Sequence, residues 1–329
     1  VYKRQQADRV LLAATARVVL PGQSGRLVQQ IAGEYHPTTW LPHFVPPRIS
    51  RKKQPTPPLQ RPGPLLFDNG WGGFSADGRE YQIYLQPGEQ LPAPWVNVIS
   101  NPDFGFLVSE TGSNFSWAKN SGENRLTPWQ NDPVRDLSGE ALYMRDETTG
   151  ELWSPTPQPL PAMVPYLIRH GAGYTIFEHN SHGLKHKLNV FADVKAPIKL
   201  IHLQLENTWD QPRTLLVTYY CEWVLGVNRD QTQVYLIPDY DGQTGALLAR
   251  QPYQDEFRHD TAFLAANQIP DNLTTDRAEF LGRLGSLSGP VALERVGLTG
   301  KVIAGSDPCA ALQLQLYLDA KETKAIHFM

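Results

Sequence analysis

The chain has 329 residues, of which 41% are hydrophobic and 19% charged, with a formal net charge of −3. That length allows one large or two ordinary domains with a sizeable core. The near-neutral balance lacks the basic face of a nucleic-acid binder, and no run of about 18 apolar residues is present to cross a membrane as a helix. Two cysteines, Cys221 and Cys309, match no metal-ligand spacing and are too few for a disulfide framework. They point to a reducing, cytoplasmic setting, and a single long-range bridge between them stays open.

Residues 1–36 read as a helical segment belonging to something that precedes the main domain. Asp8 can cap a helix whose Val10, Leu11, Ala14, Val18 and Val19 recur three or four apart, and Pro21-Gly22 ends it. A second short helix fits residues 24–32. Residues 37–64 are dense in proline and carry the basic knot Arg51-Lys52-Lys53. Proline removes donors and favours extended chain, so this is a linker or an arm lying on a surface. The chain starts without Met and stops inside a strand-like run, KAIHFM, which reads as a piece of a longer protein.

From residue 65 to 329 the texture is β. Short runs rich in Val, Ile, Tyr, Phe and Trp alternate with Gly, Pro, Asn and Asp clusters, as in REYQIYL (79–85), FGFLVSE (104–110), EALYMRD (140–146) and AALQLQLYLD (310–319). Lys199, Ile201, Leu203 and Leu205 alternate with Leu200, His202, Gln204 and Glu206, the period of a half-buried strand. Asp77-Gly78 and Asp241-Gly242 fit hairpin turns. No βαβ rhythm is present, so the expected fold is all-β, a large antiparallel two-sheet sandwich.

Residues 95–136 are dense in Trp, Asn, Ser, Thr and Arg. Indole faces stack on the C–H surfaces of sugars, while amides and guanidinium groups bridge neighbouring hydroxyls. Trp117, Asn120, Asn124, Arg125, Thr127, Trp129, Asn131 and Asp132 are therefore candidate substrate contacts. The same composition also suits an ordered loop that satisfies its own backbone. The adjacent acids Asp146-Glu147 and Asp255-Glu256 read as solvated turn residues, and no catalytic acid is assigned. His179, His182 and His186 would share a face only on a helix. On one strand His179 points away from the other two, so no metal site is expected. The glycines of NGWGGF (69–74) suit a tight turn with positive φ, and no phosphate loop follows.

Several segments together carry a resemblance: FDNGWGGFSADGREYQIYL, APWVNVISNPDFGFLVSETGSNFSWAKNSGENRLTPWQNDPV, GEALYMRDETTGELWSPTP, YLIRHGAGYTIFEHNSHGL, YYCEWVLG, AEFLGRLGSLSGPVAL and GSDPCAALQ. Their order and spacing resemble the N-terminal supersandwich of glycoside hydrolase family 94, formerly grouped as glycosyltransferase family 36. The stretch NSGENRLTPWQNDPV is most similar to the C-terminal section of cyclic β-1,2-glucan synthases. The resemblance implies a β-supersandwich followed by an (α/α)6 barrel that holds the general acid, which leaves this chain without a catalytic residue of its own. It implies a β-glucan oligosaccharide as ligand, the barrel of the same parent chain as partner, and in some members a homodimer. No cofactor is implied beyond inorganic phosphate as co-substrate of a phosphorylase. The parent synthase would be anchored in a bacterial inner membrane by segments outside these residues. The stretch 117–132 matches the loop that such sandwiches lend to the sugar site, with Asn124, Arg125 and Thr127 foremost. A purely structural domain for barrel docking or dimerisation is the alternative, and a stand-alone hydrolase would need two carboxylates facing one another across a groove near this loop.

Overall fold

The computed structural model describes residues 41–47, 54–305 and 307–329. The expected helices over 7–33 and the Arg51-Lys52-Lys53 knot lie outside the described residues. Strands are numbered along the chain.

The larger sheet has seven strands in the order β1 (Gly72–Phe74), β2 (Glu80–Leu85), β8 (Tyr166–Gly171), β9 (Tyr174–Ser181), β10 (Leu184–Ala192), β11 (Lys199–Asn207) and β18 (Thr323–Phe328). Facing it is a five-stranded sheet in the order β16 (Asn272–Asp276), β17 (Pro308–Leu318), β12 (Arg213–Glu222), β6 (Glu140–Asp146) and β7 (Leu152–Trp153). Every pairing between these strands is antiparallel. Two three-stranded sheets complete the body: β3 (Val96–Ser100), β4 (Phe104–Ser109) and β5 (Asn114–Ala118), and β13 (Ile237–Asp241), β14 (Ala246–Arg250) and β15 (Ala262–Leu264). The expected all-β sandwich is what the chain forms.

Alternation explains which side chains meet. On β11 the residues Ile201, Leu203 and Leu205 point inward, paired through β10 in the register Leu188↔Leu203. They join Met144 of β6, Val217 of β12 and Leu314 of β17 in one core cluster. The opposite face of the five-stranded sheet is also covered. Tyr143, Tyr220, Cys309 and Ala311 pack there against Phe280, Leu281, Leu293 and Leu298, from the segment that contains the short helix Arg277–Leu281. Asp276 caps this helix, its Oδ1 accepting from the N–H groups of Ala278 and Glu279. This double coverage is why β6 is buried at all seven positions, where an antiparallel sheet with one wet face would alternate.

The described part of the Pro-rich stretch lies along the sandwich. Trp209 Nε1 donates to the Gln54 carbonyl (3.0 Å), Asn180 to Pro57 (3.1 Å) and the Tyr84 hydroxyl to Leu59 (2.9 Å). The Phe44 ring stacks 3.9 Å from the Arg145 guanidinium.

The turn region around residues 69–74 differs from expectation. Only Gly70 has positive φ (+97°). Gly72 is required for another reason: a Cβ there would stand 2.3 Å from the Gln82 carbonyl oxygen of the paired strand. Gly78 and Gly245, each with positive φ, close the β1–β2 and β13–β14 hairpins.

Candidate functional site

Four polar side chains converge at one end of the sandwich because each occupies an inward position of a strand. Glu140 shares its face of β6 with Leu142 and Met144, and Lys199 shares its face of β11 with Ile201 and Leu203. Tyr219 lies between Val217 and Cys221 on β12, and Ser116 sits on β5. Glu140 Oε2 accepts from Lys199 Nζ (2.7 Å) and from the Tyr219 hydroxyl, while Oε1 accepts from Ser116 (2.8 Å) and Thr127 (2.9 Å). Lys199 also donates to Asn114 Oδ1 (2.7 Å) and lies over the Phe106 ring. Burial alone would raise the Glu140 pKa, but the Lys199 charge and these hydrogen bonds outweigh it and hold the carboxyl below its usual range. Burial beside this carboxylate pushes the Tyr219 hydroxyl and the Cys221 thiol well up.

Above this cluster opens a cavity of about 540 Å³, walled by Asn124, Thr127, Trp223, Gln251, Phe257 and Leu264. At its edge the exposed Lys119 is ion-paired to Asp260 at 2.9 Å.

The eight loop candidates divide. Trp117 is the fourth residue of β5, not a loop residue, and packs on Phe115 at 5.1 Å. Asn124 and Thr127 are buried and line the cavity. Asn120 and Asp132 cap turns: their Oδ1 atoms accept from Gly122 and Glu123, and from Val134 and Arg135. Arg125 pairs through its backbone with Gly226, and its Nε donates to the Ser121 carbonyl at 3.1 Å. Trp129 is 38% exposed and lies flat on Phe115, with centroids 4.9 Å apart and planes within 4°. Asn131 is exposed with φ +49°. Asp136 anchors the far end of the loop, its Oδ2 accepting from Ser109 and Thr111 at 2.6 and 2.5 Å.

Two readings of other residues need correction. His179 and His186 do not sit on one strand. They face each other across the β9–β10 hairpin, whose two-residue turn His182-Gly183 has positive φ at both positions, and their rings stack at 3.9 Å. Trp153 Nε1 donates to His186 Nε2 at 3.0 Å, and His182 stacks on Trp153 at 4.1 Å. Among the described residues no group of three His, Cys, Asp or Glu is arranged to hold a metal ion. Asp146, read as a solvated turn acid, is fully buried and ion-paired with Arg213. Cys221 and Cys309 are both buried free thiols.

Glu140, Tyr219, Trp223 and Gln251 were not singled out from sequence. One available signal was the charged Lys199 in line with Ile201, Leu203 and Leu205. A lysine on a core face needs a buried partner, though nothing local identifies Glu140 as that partner.

Residues 79–329 match the family described as Glycosyl hydrolase 94, supersandwich domain. The chain is 38% identical over 268 residues to the cyclic beta-(1,2)-glucan synthase NdvB of Rhizobium meliloti (strain 1021), covering 81% of this chain and 10% of that protein. It is 27% identical to an N,N'-diacetylchitobiose phosphorylase of Vibrio furnissii, covering 77% of this chain and 32% of that protein. It is 25% identical to a solabiose phosphorylase of Paenibacillus borealis, covering 78% and 34% respectively. The chain thus spans between a tenth and a third of the length of these relatives.

Proposed function

Since this chain belongs to the glycosyl hydrolase 94 supersandwich-domain family, we propose that it is a non-catalytic sugar-handling domain of a larger β-glucan enzyme, lending its 117–132 stretch, the end of β5 and the loop after it, to an active site carried mainly by other parts of that enzyme. The observation that carries this reading is Trp129. One face of its indole is fixed on Phe115, and the side chain keeps 38% of its surface exposed beside the exposed Asn131. A rigid aromatic plane with amides at its edge suits the C–H face and hydroxyls of a pyranose. The relatives include a β-1,2-glucan synthase and disaccharide phosphorylases, which makes β-1,2-glucooligosaccharide the first ligand to try. Glu140 is a poor proton donor, being ion-paired and held deprotonated.

Isothermal titration of β-1,2-glucooligosaccharides into the chain is expected to give millimolar binding, weakened about tenfold, or about 1.4 kcal/mol, by Trp129→Ala or Arg125→Ala. No heat with any oligosaccharide would remove the sugar-binding part of the reading.

A second role is favoured by Val134, 87% exposed, and the partly exposed Leu137 on the same loop. Apolar side chains presented this way suit docking against a helical barrel or a twin subunit.

A further inference from the structure

The cavity beside Glu140 offers open hydrogen-bond acceptors. Two amides that line it have oxygens that accept from no group among the described residues, and a third wall residue, Trp223, has a sealed N–H. Asn124 is 3% exposed, and its Nδ2 donates to the Ala118 carbonyl while nothing donates to its Oδ1. Gln251 is 8% exposed, and its Nε2 donates to the Leu225 carbonyl while its Oε1 receives nothing. Trp223 is 3% exposed, and its Nε1–H, a donor only, has no acceptor. The two amide oxygens keep contact with solvent and stand as acceptors open to a bound molecule, whereas the Trp223 N–H is sealed beneath the wall.

The chemistry of that molecule follows from the walls. Glu140 and Lys199 neutralise each other at the floor, so neither an anion nor a cation is favoured over a neutral molecule. Two open amide acceptors suit the O–H donors of hydroxyl groups. Phe104, Phe257 and Trp223 supply the apolar and aromatic surface that ring C–H groups require. A volume of about 540 Å³ falls within the range of about 300–1,000 Å³ typical of small-molecule sites.

We propose that this open cavity between the sandwich end and β15 is a binding site for a single neutral pyranose unit, with Asn124 and Gln251 accepting from its hydroxyls and the Trp223 ring forming part of the apolar wall. The choice of a sugar rests on the carbohydrate function proposed for the chain. The site is separate from the exposed Trp129 face, which does not line the cavity.

The test uses ¹⁵N-labelled chain and follows the indole resonances of Trp223 and Trp129, each assigned by its Trp→Phe variant, during titration with glucose and with the β-1,2-linked disaccharide. Glucose is expected to shift the Trp223 indole. Ala262→Trp, which fills the cavity from β15, and Gln251→Leu should each weaken that response at least tenfold, whereas Trp129→Ala should leave it intact. If sugar shifts only the Trp129 indole, and Ala262→Trp titrates like the parent, the cavity proposal is overturned and the loop reading stands. If no indole responds to either sugar, both fall. The Trp223 resonance of the unsubstituted chain decides between these outcomes even if a cavity variant does not fold.

Discussion

Lys199 and Glu140 stand at the first positions of their strands and close the inner space with charge. Two ions out of water are tolerated only as a hydrogen-bonded pair. Lys199→Met should therefore destabilise the chain by about 3–5 kcal/mol, because it strands a buried carboxylate. Adding Glu140→Gln should recover much of the loss, a coupling that urea unfolding of the four species would measure. His179 presents the opposite case. Its two ring nitrogens are buried without partners, and burial, then the nearby His186 and His182, hold its pKa well below the usual value. His186, whose Nδ1–H donates to the His179 carbonyl while Nε2 accepts from Trp153, is brought to about 3, chiefly by burial. Both histidines bind fewer protons folded than unfolded. Their contribution is thus complete above about pH 6.5 and is lost as pH falls towards the folded values, at about 1.4 kcal/mol per pH unit for each group. Glu110 opposes this trend, since burial raises its pKa from 4.5 to about 7. The informative quantity is accordingly a difference between variants. His179→Phe should be neutral or stabilising at pH 7 and should reduce the fall in stability between pH 6.5 and 5, read from chemical denaturation at each pH.

At the scale of elements, the β9–β10 hairpin depends on Gly183. Its φ is +74°, and a Cβ there would meet the Trp209 indole at 2.3 Å. Gly183→Ala should cost about 1–3 kcal/mol, measurable as a lower midpoint in denaturant, and should disturb the Trp209 fluorescence. This hairpin also shows where the sequence is hard to read. The run 174–192 alternates almost without a break, and the turn residues His182 and Gly183 differ little from a strand with a polar interruption, so the facing of His179 and His186 could not be inferred. β11 was readable because one of its faces is apolar and the other polar. β6 was readable as a strand, but its partners were not: with both faces covered, Glu140, Arg145 and Asp146 all became interior. In the candidate site, the Trp- and Asn-rich composition of 117–132 drew attention to Asn124 and Thr127, which do border the cavity. The other walls are far away in sequence: the segment after β12 is bonded to the loop through Val224 N–H to the Leu126 carbonyl and Arg125 N–H to the Gly226 carbonyl, and Gln251 is tied to it through the Leu225 carbonyl.

Across the whole molecule, one core cluster runs from β2 through β10 and β11 to β12 and β17, and the second, under the 277–298 segment, is built on the outer face of the same five-stranded sheet. Unfolding of this body should be a single cooperative step, with tryptophan fluorescence and far-ultraviolet circular dichroism giving coincident curves. Separate midpoints would show that the β13–β14–β15 sheet or the 277–298 segment opens alone. The five-stranded sheet has a further consequence. Because other parts of the protein cover it above and below, solvent reaches its central amides only after one of those layers has lifted. Deuterium should consequently enter β6 and β12 last, and the slowest-exchanging peptides would trace the innermost stratum of the protein without reference to any ligand.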